Sequence, residues 1–461
     1  MPGIFARGHS VKPNYVTTVQ GILIEDIARR HGTPLFLYDC DVMREKFTYL
    51  RSHLPRNIDI FYSLKANPNF GIYSELRNLG VHADVSSLAE LEIAVRAGTP
   101  GSSIIFVGPG KSRREISRCI ELDIFAIVAE SFEEVRLISM IAVEAGKTAR
   151  VALRINPNFK VKGTRLTMGG RASQFGIDEE VVFDDFHCFR NIPNVRWVGV
   201  QCYVGTRILD PSIVVENTKQ ILALAERFKD RFEIELEVVD LGGGLGVPYF
   251  DNETEIDVAA LGDGMSQTLT PFVSRNPRTR IVMELGRYLV AHSGMLVTRV
   301  RYQKFSRGKE FLICDGGTNC HMAAVGVGSF VRRNFPLAKV AIQGEVHDEV
   351  GKLFHVAGPL CTPNDLLGED VLLPKIDSGD CIAVLNSGAY GPTASPGLFI
   401  SQGFPTEVLV RNGTEHVIRE RDSTEDILSK HCQIVPQTSK DALDSHSSTR
   451  KCLYVTENIS T

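Results

Sequence analysis

The sequence predicts an α/β architecture: a (β/α)8 barrel followed by a smaller, mostly-β domain. Three observations carry that reading. From about residue 58, short apolar, β-branched runs alternate with helical patterns. Eight such runs are spread over roughly the 250 residues such a barrel occupies. After about residue 290 the helical patterns thin out, and strand-like runs separated by Gly, Pro and Asp turns take over. An open doubly wound sheet shares this alternation and stays open until the strand ends are read.

In chain order, residues 1–30 precede the barrel and are expected to pack with the β domain. The barrel is expected over 31–288. Its strands are read at Ile58–Leu64, Val81–Val85, Ile104–Val107, Phe125–Val128, Val151–Ile155, Val195–Tyr203, Ile234–Val239 and Ile281–Leu285. Three intervening helices open on serines followed three residues later by glutamate: Ser87 with Glu90, Ser112 with Glu115, and Ser131 with Glu134. That spacing predicts capping boxes. The β domain, 289–425, is read from Val297–Tyr302, Phe311–Asp315, Leu353–Val356, Cys381–Leu385 and Thr406–Val410. The remainder, 426–461, is rich in Ser, Thr, Lys and Asp and is expected to be a mobile tail.

Bulk chemistry narrows the function classes. A chain of 461 residues exceeds one ordinary core, which favours two domains. Its 51 basic and 55 acidic side chains leave a net charge of −4, with no footprint for nucleic acid or an anionic membrane. No apolar run approaches the roughly 20 residues of a membrane span, and the first fifteen residues lack the apolar stretch of a secretory signal. Ten cysteines without a CxxC pair argue against a zinc site or a disulfide scaffold, so a reducing, cytoplasmic setting is expected.

In a (β/α)8 barrel, chemistry sits at the C-terminal strand ends. The first strand closes on Tyr62-Ser63-Leu64-Lys65-Ala66-Asn67. Burying a lysine there costs solvation and is expected to depress its pKa toward a nucleophilic amine; a lysine reaching solvent is the plainer alternative. The seventh strand runs into Leu241-Gly242-Gly243-Gly244-Leu245-Gly246, where successive side-chain-free N–H groups suit a phosphate. Val247 breaks a GxGxxG match, which disfavours a dinucleotide loop. The eighth ends on Glu284-Leu285-Gly286-Arg287. There a carboxylate can keep a pyridine nitrogen protonated and a guanidinium can face a phosphate, although a structural ion pair fits the same residues. In the β domain, Gly358-Pro359-Leu360-Cys361-Thr362 and Ser387-Gly388-Ala389-Tyr390 stand out: a thiol able to move a proton, or simply buried, and a phenol able to donate to a phosphate.

Taken together, the strand-end lysine, triple-glycine loop, Glu-Leu-Gly-Arg, Gly-Pro-Leu-Cys and Gly-Ala-Tyr motifs resemble those of the fold-type III pyridoxal 5'-phosphate decarboxylases, which include ornithine and diaminopimelate decarboxylases. The resemblance covers about residues 30 to 415. It implies that Lys65 anchors the cofactor, that Gly242, Gly243, Gly244, Gly286, Arg287 and Tyr390 bind it with phosphate contacts, and that Glu284 partners the pyridine nitrogen. It further implies a homodimer with shared active sites, Cys361 and Asp365 reaching into the neighbouring one and Cys361 helping to protonate the carbanion left by CO2.

Departures from the family bear on substrate. The family's His-Val-Gly-Ser is Tyr203-Val204-Gly205-Thr206 here, which implies a phenol on the cofactor ring and Thr206 at the phosphate. Diaminopimelate decarboxylases place Glu after the cysteine, where this chain has Thr362. They also place Arg four residues after the asparagine equivalent to Asn319, where this chain has Ala323. Asn319 and Thr362 are thus substrate-side candidates on a site lacking two groups that grip diaminopimelate. Met168-Gly169-Gly170, Ser173-Gln174-Phe175-Gly176 and Arg332-Arg333-Asn334-Phe335 are more like a subgroup from secondary-metabolite and siderophore pathways, some of whose members act on carrier-protein-bound amino acids. The sequence therefore predicts an amino acid decarboxylase; diaminopimelate decarboxylation to lysine and an alanine-racemase-like activity are the alternatives, the latter disfavoured by Glu284.

Overall fold

The computed structural model describes residues 15–159, 166–167, 172–250, 252–325, 333–342 and 351–432. Met168, Gly169, Gly170, Arg332 and the tail from 433 onward lie outside the described residues. Eight strands follow in order: β1 (Ile58–Ser63), β2 (His82–Val85), β3 (Ile104–Phe106), β4 (Ala126–Ala129), β5 (Ala149–Asn156), β6 (Val195–Gln201), β7 (Val238–Gly243) and β8 (Arg280–Leu285). Each pairs in parallel with the next, and β8 closes on β1 with Ile281 opposite Ile58 and Leu285 opposite Tyr62. The sheet is therefore a closed barrel and not the open alternative.

The seventh strand begins later than its apolar run suggested. Glu237 already donates its N–H to Val198 O, but parallel pairing with β6 and β8 starts only at Val238. The strand consequently ends inside the glycine triad. The three serine caps all form, yet the reciprocal box closes only at Ser112 and Glu115. Glu90 and Glu134 reach one residue further back, to the N–H groups of Ser86 and Glu130.

Phe61, Ile105, Ala126, Val128, Ala152, Val198, Val238 and Val282 form one buried cluster inside the barrel, drawn from seven of the eight strands. β2 contributes nothing apolar to it. Its Ala83 and Val85 pack with the outer cluster, so by strand alternation Asp84 points inward. Two residues beyond the plug, the same inward face turns polar: Ser63, Glu130, Arg154, Asp240 and Glu284 are all buried. The barrel mouth is therefore a polar layer resting on an apolar floor.

In the second sheet, the long strand Gly294–Ser306 pairs with Lys309–Cys314, Cys381–Val384 and Leu35–Asp39. Leu35–Asp39 is a strand the sequence pattern did not single out. All five of its residues are buried, so it lacks the in–out alternation that marks a strand, and it hydrogen-bonds into this sheet and not the barrel. Tyr15–Val16 pairs with Leu337–Val340 of the same sheet. The two units meet where Tyr390 N donates to Ala66 O at 2.7 Å and Asn67 Nδ2 to Gly388 O at 3.0 Å. These bonds tie the β-domain loop carrying Tyr390 to the turn carrying Lys65.

Candidate active site

A cavity of about 610 Å³ opens over the barrel mouth, lined among others by Lys65, Arg154, Gln201, Tyr203, Thr206, Glu284, Arg287 and Tyr390. Lys65 sits in the one-turn 3-10 helix Leu64–Ala66 that follows β1. Its side chain keeps 41% of its surface open to this cavity. Nζ lies 4.0 Å from Asp84 Oδ2 and 5.7 Å from the centre of the Tyr203 ring.

The expected depression of the Lys65 pKa is reversed. Burial does lower it, but the carboxylates of Asp84 and then Glu284 outweigh burial and hold it above its ordinary value. The same field acts in reverse on the acids. Burial and repulsion from Glu284 push Asp84 up to about 7. They also push Asp240, hydrogen-bonded to Glu284, well above the usual carboxylate range. Glu284 accepts from Gln201 Nε2 at 3.3 Å.

On the phosphate side, a Cβ on Gly243 would stand 1.6 Å from Glu284 O, and one on Gly244, where φ is +105°, 2.2 Å from Gly205 O. Only glycine lets β7 turn this close to its neighbours. Gly286 works likewise: a Cβ there would meet the Ala66 side chain at 2.8 Å. Arg287 is held by a hydrogen bond to Tyr249 Oη at 2.8 Å and lies over the Tyr390 ring at 4.5 Å. Its buried Nε has no partner. An unsatisfied cationic donor beside a glycine cradle fits a phosphate, and a lysine and a buried carboxylate share its cavity. The residues present thus fit pyridoxal phosphate.

Other candidates stand apart from this cavity's lining. Cys361 is exposed and Thr362 half-buried on the turn after Gly358. Asp365 is buried, with Oδ1 accepting from Thr318 N at 2.6 Å and Oδ2 from Leu360 N at 2.7 Å, which fixes that turn. Asn319 is buried too, accepting from Gly317 N. Within one chain, then, the barrel-mouth residues come together and the Cys361 turn is a separate surface.

Asp84, Arg154, Gln201 and Asp240 were not singled out as site residues. Arg154 is pinned to Glu130 at 2.9 Å and lies 4.8 Å from the Phe175 ring; Glu130 also accepts from Gly176 N, holding Phe175 at the cavity wall. A signal existed: on β5 and β7 a charged residue, Arg154 or Asp240, stands two positions beyond an inward-facing residue of the apolar floor, and on β2 Asp84 stands between the outward-packed Ala83 and Val85. Alternation places each of the three on the mouth.

The chain is similar to known proteins over most of its length. The family described as "Pyridoxal-dependent decarboxylase, pyridoxal binding domain" matches residues 40–291. L-glutamyl-[BtrI acyl-carrier protein] decarboxylase of Niallia circulans is 37% identical over 415 residues, covering 89% of this chain and 96% of that protein. A diaminopimelate decarboxylase of Helicobacter pylori is 32% identical over 409 residues, covering 87% and 96%. The crystal structure of diaminopimelate decarboxylase from M. jannaschii in co-complex with L-lysine superposes with a TM-score of 0.83 at 29% identity, covering 93% and 98%.

Proposed function

The chain belongs to the pyridoxal-dependent decarboxylases, and on that premise we propose that it decarboxylates the amino acid unit of a carrier-tethered or similarly extended substrate, as a homodimer. It is a pyridoxal-phosphate enzyme that releases CO2 from an amino acid or an amino-acid-derived substrate. The observation that carries the substrate proposal is the departure at Ala323 and Thr362, together with the relative named for a carrier-bound glutamyl group. A distal end joined to a carrier carries no free charged groups for Arg and Glu to hold. Among the described residues of the cavity, the cations other than Lys65 and Arg287 are already engaged: Arg154 by Glu130, and Lys111 by Glu134 and two backbone carbonyls.

Bound pyridoxal phosphate supplies an electron sink for the pair left at Cα when the carboxylate departs as CO2. Lys65 holds the cofactor through Nζ, and Asp84 and Glu284 keep a proton on that nitrogen until the cofactor arrives. Glu284, steadied by Gln201, would hold a proton on the pyridine nitrogen of the bound cofactor. Arg287 with Gly242, Gly243, Gly244, Gly286, Thr206 and Tyr390 would hold the phosphate end, and Tyr203, on the cavity lining with Lys65, would pack against the cofactor. The Cys361 thiol, with Thr362, Asp365 and Asn319 shaping its surroundings, would serve the second subunit's site by delivering a proton to Cα. No helix among the described residues is long and apolar enough to cross a membrane.

Diaminopimelate decarboxylation is the second reading, favoured by relatives such as the Helicobacter pylori enzyme. CO2 release from free diaminopimelate, ornithine, lysine, glutamate and glutamyl-loaded carrier protein separates the two. Release fastest from the loaded carrier supports the proposal; release fastest from free diaminopimelate rejects it.

A further inference from the structure

Behind the phosphate side of the cavity lies a buried polar cluster that the catalytic reading leaves unused. Lys46, 1% exposed on the helix Cys40–His53, places Nζ 2.8 Å from Glu255 Oε2 and 4.5 Å from the centre of the Tyr288 ring. The other Glu255 oxygen, Oε1, is 2.6 Å from His292 Nε2. His292 Nδ1 is in turn 2.9 Å from Asn386 Oδ1. Asn386 Nδ2 donates to Pro248 O at 3.3 Å. A carbonyl can only accept, so this last bond fixes the amide: its oxygen faces the histidine, and the ring meets an acceptor at each nitrogen.

Asn386 occupies a hinge. Its φ is +57°, a left-handed conformation that asparagine tolerates, and it starts the loop that delivers Tyr390. That loop is pinned on one side by Ser387 N to Gly294 O and Gly388 N to Ala291 O, and on the other by Tyr390 N to Ala66 O. The carbonyl Asn386 grips immediately precedes Tyr249, whose hydroxyl holds Arg287. One side chain therefore connects two of the elements that shape the phosphate side, the Tyr390 loop and the Tyr249–Arg287 pair.

We propose that Lys46, Glu255, His292 and Asn386 are positioning residues for the cofactor phosphate, setting the Tyr390 loop and Arg287 from behind without touching the ligand. Setting Lys46 and His292, both buried, against the Glu255 carboxylate costs solvation that an apolar trio would avoid. The return is a fixed orientation for Asn386. Preorganised donors bind an anion more tightly than donors that must first be ordered.

The test uses the whole chain, stripped of pyridoxal phosphate and titrated with it, reading the dissociation constant and the 31P resonance of the bound phosphate. His292→Leu and Asn386→Gly (glycine avoids backbone strain at a positive φ) should each weaken cofactor binding about tenfold or more, from the loss of the buried His292–Asn386 hydrogen bond and the orientation it gives the loop. Each should also move the 31P signal. Asn386→Asp, which keeps the acceptor toward His292, should recover part of both. Wild-type affinity and 31P position in folded His292→Leu and Asn386→Gly would overturn the proposal. Should those two fail to fold, Glu255→Gln at a partly exposed position removes the charge and one of the two acceptors that face Lys46 and His292; about threefold weaker binding with a shifted 31P signal supports the proposal, and no change in either overturns it. Failure of the wild-type chain to take up the cofactor would instead overturn the site reading on which this rests.

Discussion

Replacing Asp84 with asparagine should make the cofactor-free protein more stable, and more so as pH rises. Asp84 is 1% exposed and held at about 7 by burial and by Glu284, against an ordinary 3.8. Its proton is therefore kept longer in the folded chain than in the unfolded one. Stability conferred by the protonated form is present at low pH and is lost progressively from about pH 4 to about pH 7. A pKa gap of about 3, at about 1.4 kcal/mol for each tenfold step, puts the penalty on the order of 4 kcal/mol at pH 8 and at less than half of that at pH 5. These are upper values for the gain in Asp84→Asn, because Lys65 loses a partner. At about 2 °C per kcal/mol for a unit of about 250 residues, Tm should rise by about 4–8 °C at pH 8 and by less than half that at pH 5. Thermal unfolding of the stripped wild-type and variant chains at the two pH values reads this directly. An equal difference at pH 5 and pH 8, or a variant less stable at pH 8, would refute the idea that Asp84 carries a buried-charge penalty.

Three more outcomes follow from the geometry. Gly243→Ala forces a Cβ into Glu284 O and should abolish cofactor retention, seen as loss of the visible absorption band, with soluble protein binding pyridoxal phosphate normally as the contrary result. Cys361→Ala should slow CO2 release about 100-fold or more, the usual worth of a positioned proton donor, while leaving the cofactor dissociation constant unchanged, because Lys65, Glu284, Arg287 and the glycine loop, which hold the cofactor in this reading, are untouched. Installing the missing distal grip with Ala323→Arg and Thr362→Glu should raise kcat/KM for free diaminopimelate about tenfold or more, and an unchanged value would show that substrate choice lies elsewhere.

The barrel was legible because its strands are continuous β-branched runs, the mark of parallel strands buried on both faces. Leu35–Asp39 has no β-branched residue, and its four successive apolar side chains carry no information about which of two sheets they join. The site was half legible. Lys65, Glu284, Arg287 and the glycines sit past or at the strand ends, where a reading by motif finds them. Asp84, Arg154 and Asp240 sit within strands, and only the alternation that points them inward distinguishes them from solvated charges. The direction of the Lys65 pKa was out of reach for the same reason. It depends on two acids from β2 and β8 that the closed barrel brings to one lysine, and burial alone predicts the opposite sign.

The most direct test of the account is to reduce the cofactor-loaded protein with borohydride and locate the added mass by peptide mapping. Among the described residues two lysines line the cavity, Lys65 and Lys111, and the second is buried against Glu134 and two carbonyls. The pyridoxal phosphate mass should lie on the peptide containing Lys65 and be absent from the Lys65→Ala protein. The same mass on Lys111, or persisting after Lys65→Ala, would contradict it.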